Sequence, residues 1–310
     1  MTGIYLDQWV WIQLARTRLG RESSVSREVR DELAARRLAG DVAFPLSEVH
    51  YIETWRQRRV DRRSELAVEM GLLSAFITLA PIRAIWPGEL DRALHRRFAR
   101  PDDPPPTVPF GRGVSFAMAQ PARPEINALD SETRFLLEWE LLRSPDQEMC
   151  AAEAKQTRER DEELARNASK TSEAMKAWGV PGDEKVQRFR IQTLGSLDYQ
   201  FFGHLIAADI TPDDLRSLGG DGLEELVSDV PTLWVLTELH RLRHQNPEQR
   251  FTPTDMNDLR ALAVAVVYCD VVVADKAWVH VLNRSGLPDR YGTLVTGNPE
   301  DAVKQLNVGS

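Results

Sequence analysis

The sequence predicts an α/β protein whose parallel sheet is assembled from both ends of the chain, with a mostly α-helical insertion between them. Three observations carry this. Two apolar runs, Ile4-Tyr5-Leu6-Asp7 and Val271-Val272-Val273-Ala274-Asp275, each stop on an aspartate. Buried parallel strands appear as continuous apolar runs. Strand-like and helix-like segments alternate at both ends of the chain, the pattern of an α/β sheet. The middle has no comparable runs and is broken by proline.

Taken in order, Trp9 to Ala15 follows the first run as an apolar helix. Ser26 to Ala39 is a second helix, stopped by Gly40. Asp41 to Leu46 is a strand, with Pro45 marking an edge or exit. Ser47 is placed to cap a helix starting Glu48-Val49-His50. A further helix is expected over Val60–Leu79, after which Pro81 and Pro87 break the pattern. Residues 101–124 are Pro-rich and expected as a loop. Helices are expected over Asp130–Arg143, Pro145–Trp178, 183–207 and 211–245. Thr252-Pro253-Thr254-Asp255 is a strong helix start, with Thr as cap, Pro first and an acid third. That helix runs to about Tyr268 and leads into the second apolar run. A helix near Lys276–Asn283, a strand at Gly292–Thr296 and a helix at Pro299–Leu306 complete the chain. The expected division is a discontinuous core of residues 1–80 and 251–310, with 81–250 as the insertion.

The chain has 310 residues, 42% apolar and 28% charged, enough for a substantial core. Its formal charge of −8 argues against non-specific coating of nucleic acid, but suits a pocket that holds cations. Cys150 and Cys269 are the only cysteines, so neither a zinc pattern nor a disulfide framework is indicated. No apolar run approaches the roughly 18 residues of a membrane span, and MTGIYLDQW is no secretory leader. The expectation is a soluble cytoplasmic protein that does not engage a membrane.

Acidic residues recur at strand exits and on helix faces. Asp7 leaves the first strand. If Ser47 is a cap, His50 and Glu53 take the third and sixth helical positions and share a stripe with it. Asp255 and Asp258 are likewise three apart, Asp275 ends a strand and Asp270 precedes it. Ligand sites of open α/β sheets lie at the carboxyl ends of strands. Crowded carboxylates repel one another unless a cation sits among them, and hard divalent cations take oxygen ligands. Ordinary alternatives stand beside these. Glu48 suits a first-turn acid favoured by the helix dipole, Asp255 a capping acid, and Asp270 a turn residue. Trp9 can stack a base or wall the core. Arg56, Arg58, Arg59, Arg62 and Arg63 can form a phosphate-binding rim or a solvated helix face.

The segments Tyr5-Leu6-Asp7, Ser47-x-x-His50-x-x-Glu53, Asn257-Asp258-Leu259-Arg260-Ala261 and Val273-Ala274-Asp275-Lys276 together resemble the four acidic motifs of the PIN-domain superfamily. The resemblance covers roughly residues 1–80 and 251–310. It implies a three-layer α/β/α sandwich with a parallel sheet, a Mg²⁺ or Mn²⁺ site, and hydrolysis of phosphodiester bonds, usually in RNA. Asp7, Glu53, Asp258 and Asp275 would then be the catalytic and metal-binding residues. Ser47 and His50 would be neighbours of the site. Asp270 has no counterpart in the resemblance; apart from that resemblance, Asp255 and Asp270 are candidate site neighbours, and Arg56, Arg59 and Trp9 candidate substrate contacts. The function expected is a metal-dependent endoribonuclease. The alternative is a non-catalytic PIN-like scaffold whose insertion binds a protein partner or a second copy of the chain. A haloacid-dehalogenase-like hydrolase is disfavoured, since such enzymes carry a second aspartate where Trp9 stands.

Overall fold

Ile4, Tyr5 and Leu6 are all buried. Successive strand residues point to opposite faces, so this strand is covered on both sides, as its unbroken apolar run requires. The computed structural model describes residues 1–100, 104–121, 124–144, 182–245 and 251–308, with isolated positions between 159 and 173. Its strands are β1 (Thr2–Leu6), β2 (Val42–Ala43), β3 (Ile77–Leu79), β4 (Phe110–Arg112), β5 (Val271–Val273) and β6 (Leu294–Thr296). Four of them form a parallel sheet in the order β2-β1-β5-β6, with Ile4 opposite Val271 and Leu6 opposite Val273. The fold is therefore mixed α/β, and its central strand pair joins remote parts of the chain.

The early helices are α1 (Gln8–Arg18), α2 (Arg27–Ala39), α3 (Glu48–Trp55), α4 (Val60–Ser74) and α5 (Ile82–Arg97). Ser26 caps α2 by accepting from the Val29 amide, and Gly40 ends it at φ 81°, a left-handed conformation that only glycine adopts without cost. The core on one face of the sheet gathers Ile4, Leu6, Val271 and Val273 with Trp11 and Leu14 of α1, Leu33 of α2, Tyr51 and Ile52 of α3, and Met70 and Leu73 of α4. Beside it, buried Glu69 clamps Arg18 and Arg30, each at 2.9 Å.

The chain divides into two compact units, one of residues 1–81, 109–160 and 264–310, the other of 82–108 and 161–263. The expected boundaries differ in two places. Residues 109–144 join the first unit rather than the insertion. The helix Ser131–Arg143 packs on α3 and α4, and its carbonyls at Leu141 and Arg143 accept from the Trp55 indole (3.0 Å) and the Arg63 guanidinium (2.6 Å). Residues 251–263, expected in the core, belong to the second unit.

Several elements also depart from expectation. The helix expected to reach Leu79 stops at Ser74, because Ala75 and Phe76 turn at φ 47° and 55° and Phe76 tucks against Phe135. Ile77–Leu79 then pairs antiparallel with β4, inside the stretch expected as a Pro-rich loop. A short helix, Gly113–Ala117, follows β4. Gly113 sits at φ 79° and packs against the buried Glu138 carboxylate, where a Cβ would lie 2.0 Å from Oε1. Pro87 lies within α5 instead of breaking it.

In the second unit the expected helix 211–245 is three helices, Pro212–Ser217, Gly219–Ser228 and Pro231–His244, and the expected helix 183–207 is interrupted at Leu197. Their acids are occupied: Asp214 caps with Thr211, Glu224 and Glu238 hold Arg190, and buried Glu89 accepts from Thr232. The helix expected over Pro145–Trp178 lies outside the described residues, as does Cys150.

Glu69 tests the first unit's packing. Removing one partner of a buried ion pair costs about 3 kcal/mol or more. Glu69→Gln is therefore expected to lower stability by about 3 kcal/mol in urea titration, and an unchanged midpoint would rule out the clamp. Asp61→Asn, at the exposed Arg59–Asp61 pair, should leave the midpoint where it is.

Candidate active site at the carboxyl edge of the sheet

Two adjacent strand-to-helix junctions share one geometry. β1 ends at Leu6 and Asp7 caps α1 at φ −63°, ψ 157°. β5 ends at Val273 and, past Ala274, Asp275 caps the helix Lys276–Ser285 at φ −66°, ψ 158°. Asp7 Oδ1 accepts from the Gln8 amide at 2.6 Å, and Asp275 Oδ1 accepts from Ala277 and Trp278 at 2.8 and 3.0 Å. Because β1 and β5 are parallel neighbours, both carboxylates emerge at the same sheet edge. The Asp7 amide donates to the Val273 carbonyl across the junction at 2.9 Å.

Glu53 reaches this edge through a third junction. β2 leads by way of Phe44 and Pro45 to Ser47, which precedes α3. His50 Nδ1 accepts from the Ser47 amide at 2.8 Å, so its Nε2–H donates to the Leu6 carbonyl, also at 2.8 Å. The ring is fully buried beside Tyr5 and Trp11. Burial lowers its pKa to about 4, so it is a neutral strut between the end of β1 and the start of α3. Glu53 lies one helical step further along the face that His50 anchors.

The electrostatics of Asp7 and Glu53 show that they converge. Burial first, and then the charge of Asp275, pushes Asp7 up to about 6, against opposing hydrogen bonds from the Gln8 and Asp275 amides. Burial first, and then the charge of Asp7, pushes Glu53 up to about 7, while Arg56 acts the other way. Asp7 is thus the common neighbour of the other two acids. Among the described residues, no three His, Cys, Asp or Glu side chains are close enough to hold one ion as they stand.

The remaining expected residues are placed as follows. Asp258 is half-buried on the second turn of the helix Pro253–Tyr268, in the second unit. Asp255 completes a reciprocal cap with Thr252 and pairs with Arg243 at 2.8 Å, so it serves that helix start. Asp270 is a correction. It stands at the amino end of β5, where Oδ2 accepts from the Gly3 amide at 2.7 Å, at the opposite edge of the sheet from Asp275. Ser47 is buried at the foot of α3. Trp9 is half-buried against the core and walls it.

Two of the five arginines of the expected basic rim are taken up by the fold. Arg59 pairs with Asp61, and Arg63 donates to the Gln57 and Arg143 carbonyls. Arg56 is exposed beside Glu53. Inspection of the sequence missed a different basic stripe, Lys276, His280 and Arg284, all exposed on the helix that Asp275 caps. Its signal is spacing alone, four residues each time, opposite the buried Trp278 and Leu282.

No protein-family model, curated protein or solved structure matches the chain. Among the described residues, no helix is long and apolar enough to cross a membrane.

The raised carboxyls fix a pH dependence. Asp7 binds its proton more tightly folded (about 6) than at its ordinary 3.8. The stability it contributes is therefore whole below about pH 4 and lost as pH rises through about 6. Asn keeps the helix cap without the charge. Asp7→Asn is expected to be more stable than the parent by on the order of 2 kcal/mol at about pH 8 in EDTA, the gain vanishing near pH 4. A variant less stable at pH 8 in thermal melts would contradict the repulsion.

Proposed function

We propose that the chain is a divalent-cation-dependent endoribonuclease, a hydrolase with a PIN-like α/β/α arrangement that cleaves RNA phosphodiester bonds at the carboxyl edge of its parallel sheet. The supporting observation is that Asp7 neighbours both Asp275 and Glu53 at one sheet edge, Asp7 and Glu53 being held well above their ordinary pKa by burial and by a neighbouring carboxylate. Such a cluster is costly when ionised and is relieved by a cation. The donor set is all carboxylate oxygen, which fits Mg²⁺ or Mn²⁺. The fit is one of charge and donor chemistry rather than of preset ligand geometry.

Asp7, Glu53 and Asp275 would hold the ion. When bound, it supplies acidification of water and neutralisation of charge developing on the phosphate. The chain contributes the rest. Amides of Gln8, Ala277 and Trp278 fix the orientation of the two capping carboxylates. The first turns of two helices direct their positive ends toward an anionic substrate. Glu53 would bind the ion directly or position the attacking water.

The test is a Mn²⁺ titration of melting temperature together with an RNA cleavage assay. Ligand at a hundredfold excess over Kd stabilises by about 2.7 kcal/mol, so the parent chain is expected to gain several degrees and Asp275→Asn little. Cleavage by the parent should be lost in Asp7→Asn although that variant stays folded. Cleavage retained in Asp7→Asn, or no Mn²⁺ shift in the parent, overturns the reading.

A further inference from the structure

Beside Asp275 an open groove runs along the helix Lys276–Ser285. Lys276, His280 and Arg284 line one wall, and Gly297 and Asn298, just past the end of β6, line the other. Lys276 follows Asp275 directly. Thr296 ends β6, the neighbour of β5, and its carbonyl accepts from the Ala274 amide at 3.0 Å. The groove therefore opens at the edge where the acids converge and leads away from it.

Its charge is uncommitted. Among the described residues none of Lys276, His280 and Arg284 has an ion-pair partner, whereas Arg21, Arg30, Arg36, Arg59, Arg97 and Arg190 all sit on carboxylates. In a chain of net charge −8, Lys276, His280 and Arg284 form a row of basic side chains without ion-pair partners on one helix face beside a groove. Each four-residue step advances about 6 Å along a helix, comparable with the step between successive phosphates of an extended single strand. Asn298 adds an amide beside the row, and Gly297 leaves the facing wall low.

We infer that this groove holds the sugar-phosphate backbone of single-stranded nucleic acid, Lys276 and Arg284 contacting phosphates two steps apart and His280 lying beside the one between them, so that the strand runs to the acidic edge. The choice of ligand rests on the hydrolase reading above, but binding is measured separately from cleavage. Fluorescence anisotropy of a short fluorescein-labelled oligouridylate is followed across a salt series in EDTA, for the full chain and for Lys276→Gln/Arg284→Gln. Each phosphate contact with a single strand adds about 0.7 to the slope of log affinity against log salt. The double variant is expected to bind about tenfold more weakly, with a slope shallower by about 1.4. Its circular dichroism and melting temperature should match the parent, since both side chains are exposed.

An unchanged affinity and slope in the double variant overturns the groove, and so does duplex RNA that binds as tightly as the single strand and loses as much on substitution. A chain that binds through the groove yet cuts nothing with Mn²⁺ keeps this assignment and removes the hydrolase. A chain that cuts with Mn²⁺ while the double variant binds normally does the reverse.

Discussion

The imidazole of His50 joins two backbone groups that otherwise have no reason to meet. One nitrogen takes the Ser47 amide as α3 begins, and the other gives its proton to the Leu6 carbonyl as β1 ends. Both bonds need the neutral ring, and full burial keeps it neutral. Through this strut the start of α3 is tied to the last residue before Asp7, and Glu53 is carried to the same edge of the sheet. Without it, a protonated ring would meet the Ser47 amide with a donor, and the two acids would lose their common reference. The strut therefore works in the opposite sense to the carboxylates: stability from His50 is whole above about pH 6.5 and lost as pH falls toward 4, while the acids favour the folded state most at low pH.

The acidic edge is thus assembled at a cost in stability. Asp7 and Asp275 do the ordinary work of capping helices, and any strand-helix junction could use an aspartate this way. What sets this pair apart is placement on adjacent parallel strands, so that Asp7 feels the charge of Asp275 on one side while Glu53 feels that of Asp7 on the other. Functional sites are where such local conflict is retained.

Much of this was legible in the chain itself. The apolar runs before Asp7 and Asp275, the Ser26 and Gly40 boundaries, the Ser47–His50–Glu53 stripe and the Thr252-Pro253-Asp255 start are local signals, set by capping and period within a few residues. What escaped notice depends on partners remote in sequence. Ile77–Leu79 becomes a strand only because Phe110–Arg112, rich in glycine and arginine, comes alongside it. Residues 109–144 belong with the sheet because Trp55 and Arg63 reach their carbonyls. Asp270, one residue before a strand, reads from sequence equally as a further acid or a turn residue, and its bond to Gly3 places it at the other edge. Pro87 shows the converse: a residue that opposes helix is overridden by the burial of Ile85, Trp86 and Leu90 around it.

The order of segments along the chain has a consequence for biosynthesis. β1 is made 267 positions before β5, its neighbour on one side, as Ile4 and Val271 face each other. Until then β1 has only the two-residue β2 beside it, and one flank offers unpaired amides and carbonyls. Closure over so long a separation is slow, and exposed strand flanks recruit other chains. Over that span the sheet is half-built, with an open flank that another strand can join.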